Sequence, residues 1–475
     1  MDVKHALAIC ALLAVFVWLA RRQIFTWPYY YDEADYMYAA SLGWRANYTG
    51  SPAQPLADFV RVGLARGGDA SERSELSAQT RAGRDVDFYR HWHGPLYSYW
   101  LLALAPLRLD ERVTRSLSYG FPALTLLVIY LGSLWLLPGG QRQLAAILGS
   151  IFYLWSYTTT VTNEIAPHSL FVLCYVAALI LLMKWRITSR SRYWYGAVIA
   201  AALAFCTLEV AFVLVVVLLV CAALEHKLTD WRWMSKSIVL FAGTVLVLWP
   251  AAVLKLSFVK AYLFMSYLAI FRKSPWGGVS FAETWRLRFT HSPWEWLLLA
   301  AAVILYFRFC DVATRRLLFP IFFYAGLMLL VLLRVNTETP RYMLPFLAAL
   351  QVGAGFTFAT IFTKWRLALR SAPAAAICGL LLWNTTAQIR AHPILPAPRL
   401  ASVLASLREQ KLTGKKLLVP QDDLPMIHYY FPGTSLRGYV NEQERSAALA
   451  HERFDAVLDR DKTLASRTSV PNDER

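Results

Sequence analysis

Long unbroken apolar stretches alternate with short polar ones along this chain. The first apolar stretch runs from His5 to Ala20. Ten more cover 117–137, 144–161, 168–184, 194–207, 210–224, 238–254, 295–309, 317–333, 342–362 and 373–389. Most are long enough to cross a hydrocarbon core of roughly 30 Å as a helix. In lipid every backbone N–H and C=O must find a partner inside the protein, which leaves helices or closed barrels. Barrel strands would alternate apolar and polar positions, and these stretches do not. The pattern predicts an all-α polytopic membrane protein with about eleven transmembrane helices.

Two places depart from that pattern. "HGPLYSYWLLALAPL" (93–107) is short, opens on His-Gly-Pro and ends near Pro106, as an interfacial helix in the first loop would. The 194–224 stretch is interrupted at Glu209 and predicts a hairpin of two short helices. Beyond residue 390 the pattern changes. "KKLLVP", "SLRGYV" and "RFDAVLD" read as strands. "LPMIHYYFPG", closed by Gly433, and "NEQERSAALAHE" read as the helices between them. A transmembrane domain over 1–390, with its first loop at 21–116, and a small α/β domain over 391–475 are expected.

Charge supplies the orientation. A net charge of +17 would suggest nucleic acid in a soluble protein. Here 57% of residues are hydrophobic and 17% charged, against about one quarter charged in soluble domains. The basic residues gather at 184–192, 226–236, 308–316 and 364–370, which the positive-inside rule places in the cytoplasm. Nucleic acid is not an expected partner; the lipid bilayer is. Loops 21–92, 162–167, 255–294 and 334–341 then face outward, with the tail. No small-residue cleavage site precedes Arg21 and Arg22, so His5–Ala20 reads as a retained helix. Cys10, Cys174, Cys206, Cys221, Cys310 and Cys378 form no C-x-x-C pair, which argues against a disulfide framework or a zinc site.

The chemistry-bearing residues fall in the outward loops. "YYYDEADY" carries Asp32 and Glu33, and "DFYRHWHGPLY" carries Arg90 and His93. The next loop has Asn163 and Glu164 before His168. Arg272 and Lys273 lie in "IFRKSPWGG", and Arg341 and Tyr342 in "RVNTETPRYMLP". Acids on some loops and cations on others suggest one cavity with two poles. Cations at headgroup depth suit a lipid phosphate. A carboxylate suits removal of a proton from an acceptor hydroxyl. Each residue also has a plain structural reading. Asp32 and Glu33 could be loop acids offset by Arg21 and Arg22. Glu164 could cap a helix, Arg341 could be a snorkelling anchor, and "WPYYY" could be an interfacial aromatic belt.

The order of these motifs resembles the GT-C glycosyltransferases, in particular the protein O-mannosyltransferases and the bacterial aminoarabinose and RgtA-like transferases. The likeness covers roughly residues 5 to 390 and rests on "YYYDEADY", "HGPLY", "NE" and "RYMLP" in order. It implies a polyprenyl-phosphate-linked sugar donor and inverting transfer to a glycan, lipid or protein acceptor outside the cytoplasm. It also implies catalytic roles for Asp32, Glu33 and Glu164. Arg341 would hold donor phosphate, with Tyr342, Arg272 and Lys273 beside it; Arg90, His93 and His168 would meet acceptor or sugar. No obligatory cofactor is expected; Mg²⁺ or Mn²⁺ at the acid pair is the option considered. The sequence departs from the family at His-Gly-Pro-Leu, where His-Pro-Pro-Leu is usual, and at "CTLE", where a Thr-Lys-Gly turn is common. The alternative is a transporter or flippase of lipid-linked sugars, which predicts charges inside spans.

Overall fold

The computed structural model describes residues 2–21, 28–29, 31–41, 43–44, 94–107, 109–162, 165–250, 252, 281–290, 292–333, 340–364, 367–391, 398–409, 414–420, 423–439, 441–459 and 464–466. They are mostly helical and form two compact units. One comprises residues 1–24, 115–248 and 266–394; the other comprises 25–114, 249–265 and 395–475.

Six helices among the described residues are long and apolar enough to cross a membrane: Val3–Ala20, Glu111–Leu136, His168–Thr188, Trp231–Leu248, Val312–Leu332 and Leu344–Phe362. Shorter apolar helices run over Gly139–Leu154, Ser191–Phe205, Phe212–Leu224 and Pro293–Phe309. The 194–224 hairpin is present, with a 3₁₀ turn at Glu209–Ala211 between its two helices. The expected interfacial segment is a helix over Leu96–Leu104 followed by a 3₁₀ turn. Its nine residues rise about 14 Å, less than a hydrocarbon core.

Several helix borders differ from the apolar borders. The helix expected from 238 begins at Trp231, and the one expected from 317 begins at Val312. An aspartate starts each. Asp230 Oδ1 accepts from the Trp233 N–H at 3.1 Å, and Asp311 Oδ1 accepts from the Thr314 N–H at 2.8 Å. An N-cap satisfies otherwise orphaned amides, so the helix begins at the cap and carries polar residues in its first turn. Conversely, the apolar stretch 144–161 breaks after Leu154 and resumes at Tyr157.

Leu344–Phe362 is the axis of the helical unit; all nineteen of its residues are buried. A Cβ added at Gly355 would run into the Gly149 backbone of Gly139–Leu154. The two helices meet glycine to glycine, as small residues permit where lipid supplies no hydrophobic drive between helices.

In the second unit the C-terminal strands β1 (Lys416–Pro420), β2 (Ser435–Tyr439), β3 (Ala456–Leu458) and β4 (Leu464–Ser466) form a sheet in the order β2-β1-β3-β4. β1 pairs in parallel with β2 and β3, while β3 and β4 are antiparallel. Leu424–Tyr430 and Glu442–His451 are the crossover helices. Gly433, at φ +85°, makes the left-handed turn into β2 that other residues adopt at a cost. Leu418, Tyr439, Ala448, Phe454 and Val457 form the core here. The sequence reading missed β4 and the helix Pro398–Glu409. That helix buries Val403, Leu404 and Leu407, an apolar face whose spacing was available to be read.

Candidate functional site

The opening acids lie on a helix, not in a loop. Tyr31–Ser41 carries Asp32 and Glu33 in its first turn, where the helix dipole favours negative charge. Successive helical positions point about 100° apart, and the two acids divide accordingly: Asp32 is exposed and Glu33 is 4% exposed. Leu96–Leu104 and Leu424–Tyr430 both pack against this helix. Tyr36 meets Tyr97 edge-on at 5.8 Å, and Tyr38 stacks on His428 at 5.0 Å. Ahead of the helix, the Tyr29 N–H donates to the Tyr430 hydroxyl at 2.8 Å. That hydroxyl in turn donates to Glu111 Oε1 at 2.8 Å. Burial pushes the Tyr430 hydroxyl far above its usual range, so it keeps its proton and remains a donor.

The other unit gathers a second set of the residues singled out from sequence. The 3₁₀ turn Pro340–Tyr342 leads into Leu344–Phe362. The Arg341 guanidinium lies 5.1 Å from the centre of the Tyr342 ring, a cation–π distance. Tyr342 meets His168 edge-on at 5.3 Å, and His168 opens the helix His168–Thr188. His168, expected to meet sugar or acceptor, therefore sits with the phosphate candidates Arg341 and Tyr342. Arg90, His93, Glu164, Arg272 and Lys273 lie outside the described residues.

Sequence reasoning missed a buried polar cluster in the same unit. Glu295, in the first turn of Pro293–Phe309, is 2% exposed. Gln351 Nε2 donates to its Oε1 at 2.6 Å, and Asn384 Nδ2 donates to Ser292 Oγ at 3.2 Å. In the sequence Glu295 stands at the edge of the apolar stretch 295–309. Gln351, a lone amide in "LPFLAALQVGAGF", was the available signal.

Helix direction places these groups. His168, Ser292 and Arg341 all stand at helix starts, and the opposite ends of those helices carry the basic loops. There Arg186 Nε lies 3.0 Å from Glu225 Oε1, and Arg316 Nη2 lies 2.5 Å from Glu225 Oε2. Lys364 Nζ donates to the Phe309 carbonyl at 3.3 Å. Burial raises the Glu225 carboxyl, but hydrogen bonds from Arg316 and Arg186 outweigh it and hold the group below its usual range. All four loops assigned to one side by charge thus meet at one end of the helical unit.

No protein-family model and no curated protein matches this chain. Solved structures do. ArnT from Cupriavidus metallidurans bound to undecaprenyl phosphate matches at a TM-score of 0.59 and 13% identity, over 94% of this chain and 87% of that one. The archaeal oligosaccharyltransferase AglB from Archaeoglobus fulgidus, in complex with an inhibitory peptide and a dolichol-phosphate, matches at 0.56 and 11%, over 99% and 75%. The Archaeoglobus fulgidus oligosaccharyltransferase complex with zinc and sulfate matches at 0.53 and 14%, over 91% and 62%. The chain shares its fold with ArnT and with the archaeal oligosaccharyltransferases.

Proposed function

We propose that this chain is an integral glycosyltransferase of the inner membrane. It moves a sugar from a polyprenyl-phosphate-linked donor to an acceptor hydroxyl on the extracytoplasmic face. The observation that carries this reading is the fold shared over 94% of the chain with an undecaprenyl-phosphate-bound ArnT. The acid helix supports it, as does the dolichol-phosphate bound to AglB.

In the proposed reaction Asp32 accepts the proton of the acceptor hydroxyl. The acceptor oxygen attacks the anomeric carbon from the face opposite the phosphate. The bond from that carbon to the phosphate oxygen breaks, its electron pair leaves with the lipid phosphate, and the configuration inverts. Glu33, buried behind Asp32 on the helix, orients the acceptor, and Glu164 adds to the acidic pole. Arg341 matches the charge that grows on the departing phosphate, with Tyr342 at its flank. Arg272 and Lys273 join that pole, while Arg90, His93 and His168 contact sugar or acceptor. The topology in this reading has eleven spans, with the loop 21–116 and the domain 391–475 outside.

Among the described residues no three His, Cys, Asp or Glu side chains form a group that could hold a divalent ion. No step is assigned to a metal.

The transporter reading gains one observation, the carboxylate of Glu295 buried on an apolar helix. One assay separates the two: purified protein with a panel of polyprenyl-phosphate sugars, beside Asp32→Asn. Transfer lost in Asp32→Asn supports the enzyme. Unchanged turnover removes Asp32 from the mechanism. Donor that crosses vesicles uncleaved supports the transporter.

A further inference from the structure

We infer that Tyr430, far away in the C-terminal sequence, is a positioning residue for the acid helix: it fixes Tyr31–Ser41, and so Asp32, in working geometry. The inference rests on the glycosyltransferase reading for its catalytic meaning, and on geometry for the latch itself.

The acid helix has eleven residues, too few to hold its shape alone, since isolated helices under about 12–15 residues are marginal in water. Its position comes from what packs on it. Tyr29, 1% exposed, sits just before the first turn. Its backbone N–H is taken by the Tyr430 hydroxyl, and the same hydroxyl is anchored on the Glu111 carboxylate. One oxygen thus accepts from the chain entering the acid helix and donates to a charged acceptor at the start of Glu111–Ser118. Hydrogen bonds to charged groups are the stronger kind.

The rings reinforce the link. Tyr430 lies against Tyr29 at 6.3 Å and 20°, and Tyr429 meets Tyr29 edge-on at 5.5 Å. Further along the acid helix, Tyr38 stacks on His428. Leu424–Tyr430 therefore grips the acid helix at its entry and again at Tyr38. A tyrosine is required at 430: phenylalanine keeps the stacking but has no hydroxyl to accept from Tyr29 or donate to Glu111. Acceptor and donor must be held to well under an ångström for a transfer of this kind, and Tyr430 is a rigid tie between the first loop and the C-terminal fold.

The test uses the full-length protein with undecaprenyl-phosphate-linked sugars, following release of undecaprenyl phosphate, and compares wild type, Tyr430→Phe and Glu111→Gln. Tyr430→Phe is expected to lower kcat about 10- to 100-fold with donor KM nearly unchanged. Amide exchange should quicken over 29–41 and stay at wild-type rates in β1–β3 and in Leu344–Phe362. Glu111→Gln keeps an acceptor oxygen but not its charge, and should change both readouts in the same direction as Tyr430→Phe and by less. Wild-type kcat and wild-type exchange over 29–41 in Tyr430→Phe would overturn the inference. So would exchange raised throughout the sheet, which marks a merely structural role. If wild type releases no lipid phosphate from any donor, the glycosyltransferase reading fails, and exchange over 29–41 alone decides the latch.

Discussion

At one end of the helical unit Arg186, Glu225 and Arg316 match charge with charge close to water. At the other, Arg341 lies over the Tyr342 ring, and the Glu295 carboxylate is met by the Gln351 amide. Gln351 Oε1 has no hydrogen-bond partner among the described residues. The first end is closed: its ions satisfy one another, and the Trp185, Trp194 and Trp233 rings pack beside them. The second keeps polar capacity that the fold does not use up. Buried polar atoms left without partners cost stability, and proteins tolerate that cost chiefly where a site needs them. The basic end is held by ion pairs, and the opposite end holds buried polar groups.

The largest predicted effect breaks both ends at once. Gly355→Val pushes a side chain into the Gly149 backbone, which cannot yield as a flexible side chain would. The helix crossing should separate, at a cost of about 3 kcal/mol or more, and monodisperse protein should be lost in size-exclusion chromatography.

Gln351→Leu tests the polar end alone. It leaves the buried Glu295 carboxylate without its amide donor, and the cost should be about 2–4 kcal/mol, read as a fall in Tm. Glu295→Leu made together with Gln351→Leu removes the stranded polar group and should recover much of that loss.

Glu225→Gln tests the basic end. Arg186, whose side chain is 5% exposed, loses its counter-charge. The loss should be about 1–3 kcal/mol, read as a fall in Tm.

The smallest effect is in pH. The Glu225 carboxyl is held below its unfolded value, so its contribution is complete above that unfolded value, about 4.3. It is lost as pH falls through the lower, folded one. The Tm gap between wild type and Glu225→Gln should stay constant from neutral pH down to about pH 5, then narrow in more acidic buffer. A gap that widened on acidification would show that Glu225 is not the group holding this end together.

Much of this was legible in order along the chain. The apolar stretches found the helices, because burying a backbone in lipid needs local hydrogen bonds that a local sequence can supply. Strand and helix succession over 415–459 was legible for the same reason, through periodicity and a closing glycine. Helix starts were misplaced where an aspartate cap lay inside a charged loop, since charge count and capping geometry read the same residue differently. Asp32 and Glu33 were found as acids but placed in a loop. Their different exposures follow from the helix itself.

The sequence alone determined what local physics can decide: which segments are helical and which basic loops gather at one end of the helical unit. Tertiary structure decided the rest, because those groups act through neighbours distant in sequence. His168 beside Tyr342, Glu295 on Gln351 and Tyr430 bridging Tyr29 and Glu111 each join segments that no periodicity connects. Only the packing of helices brings them within the few ångströms over which hydrogen bonds and ring contacts operate.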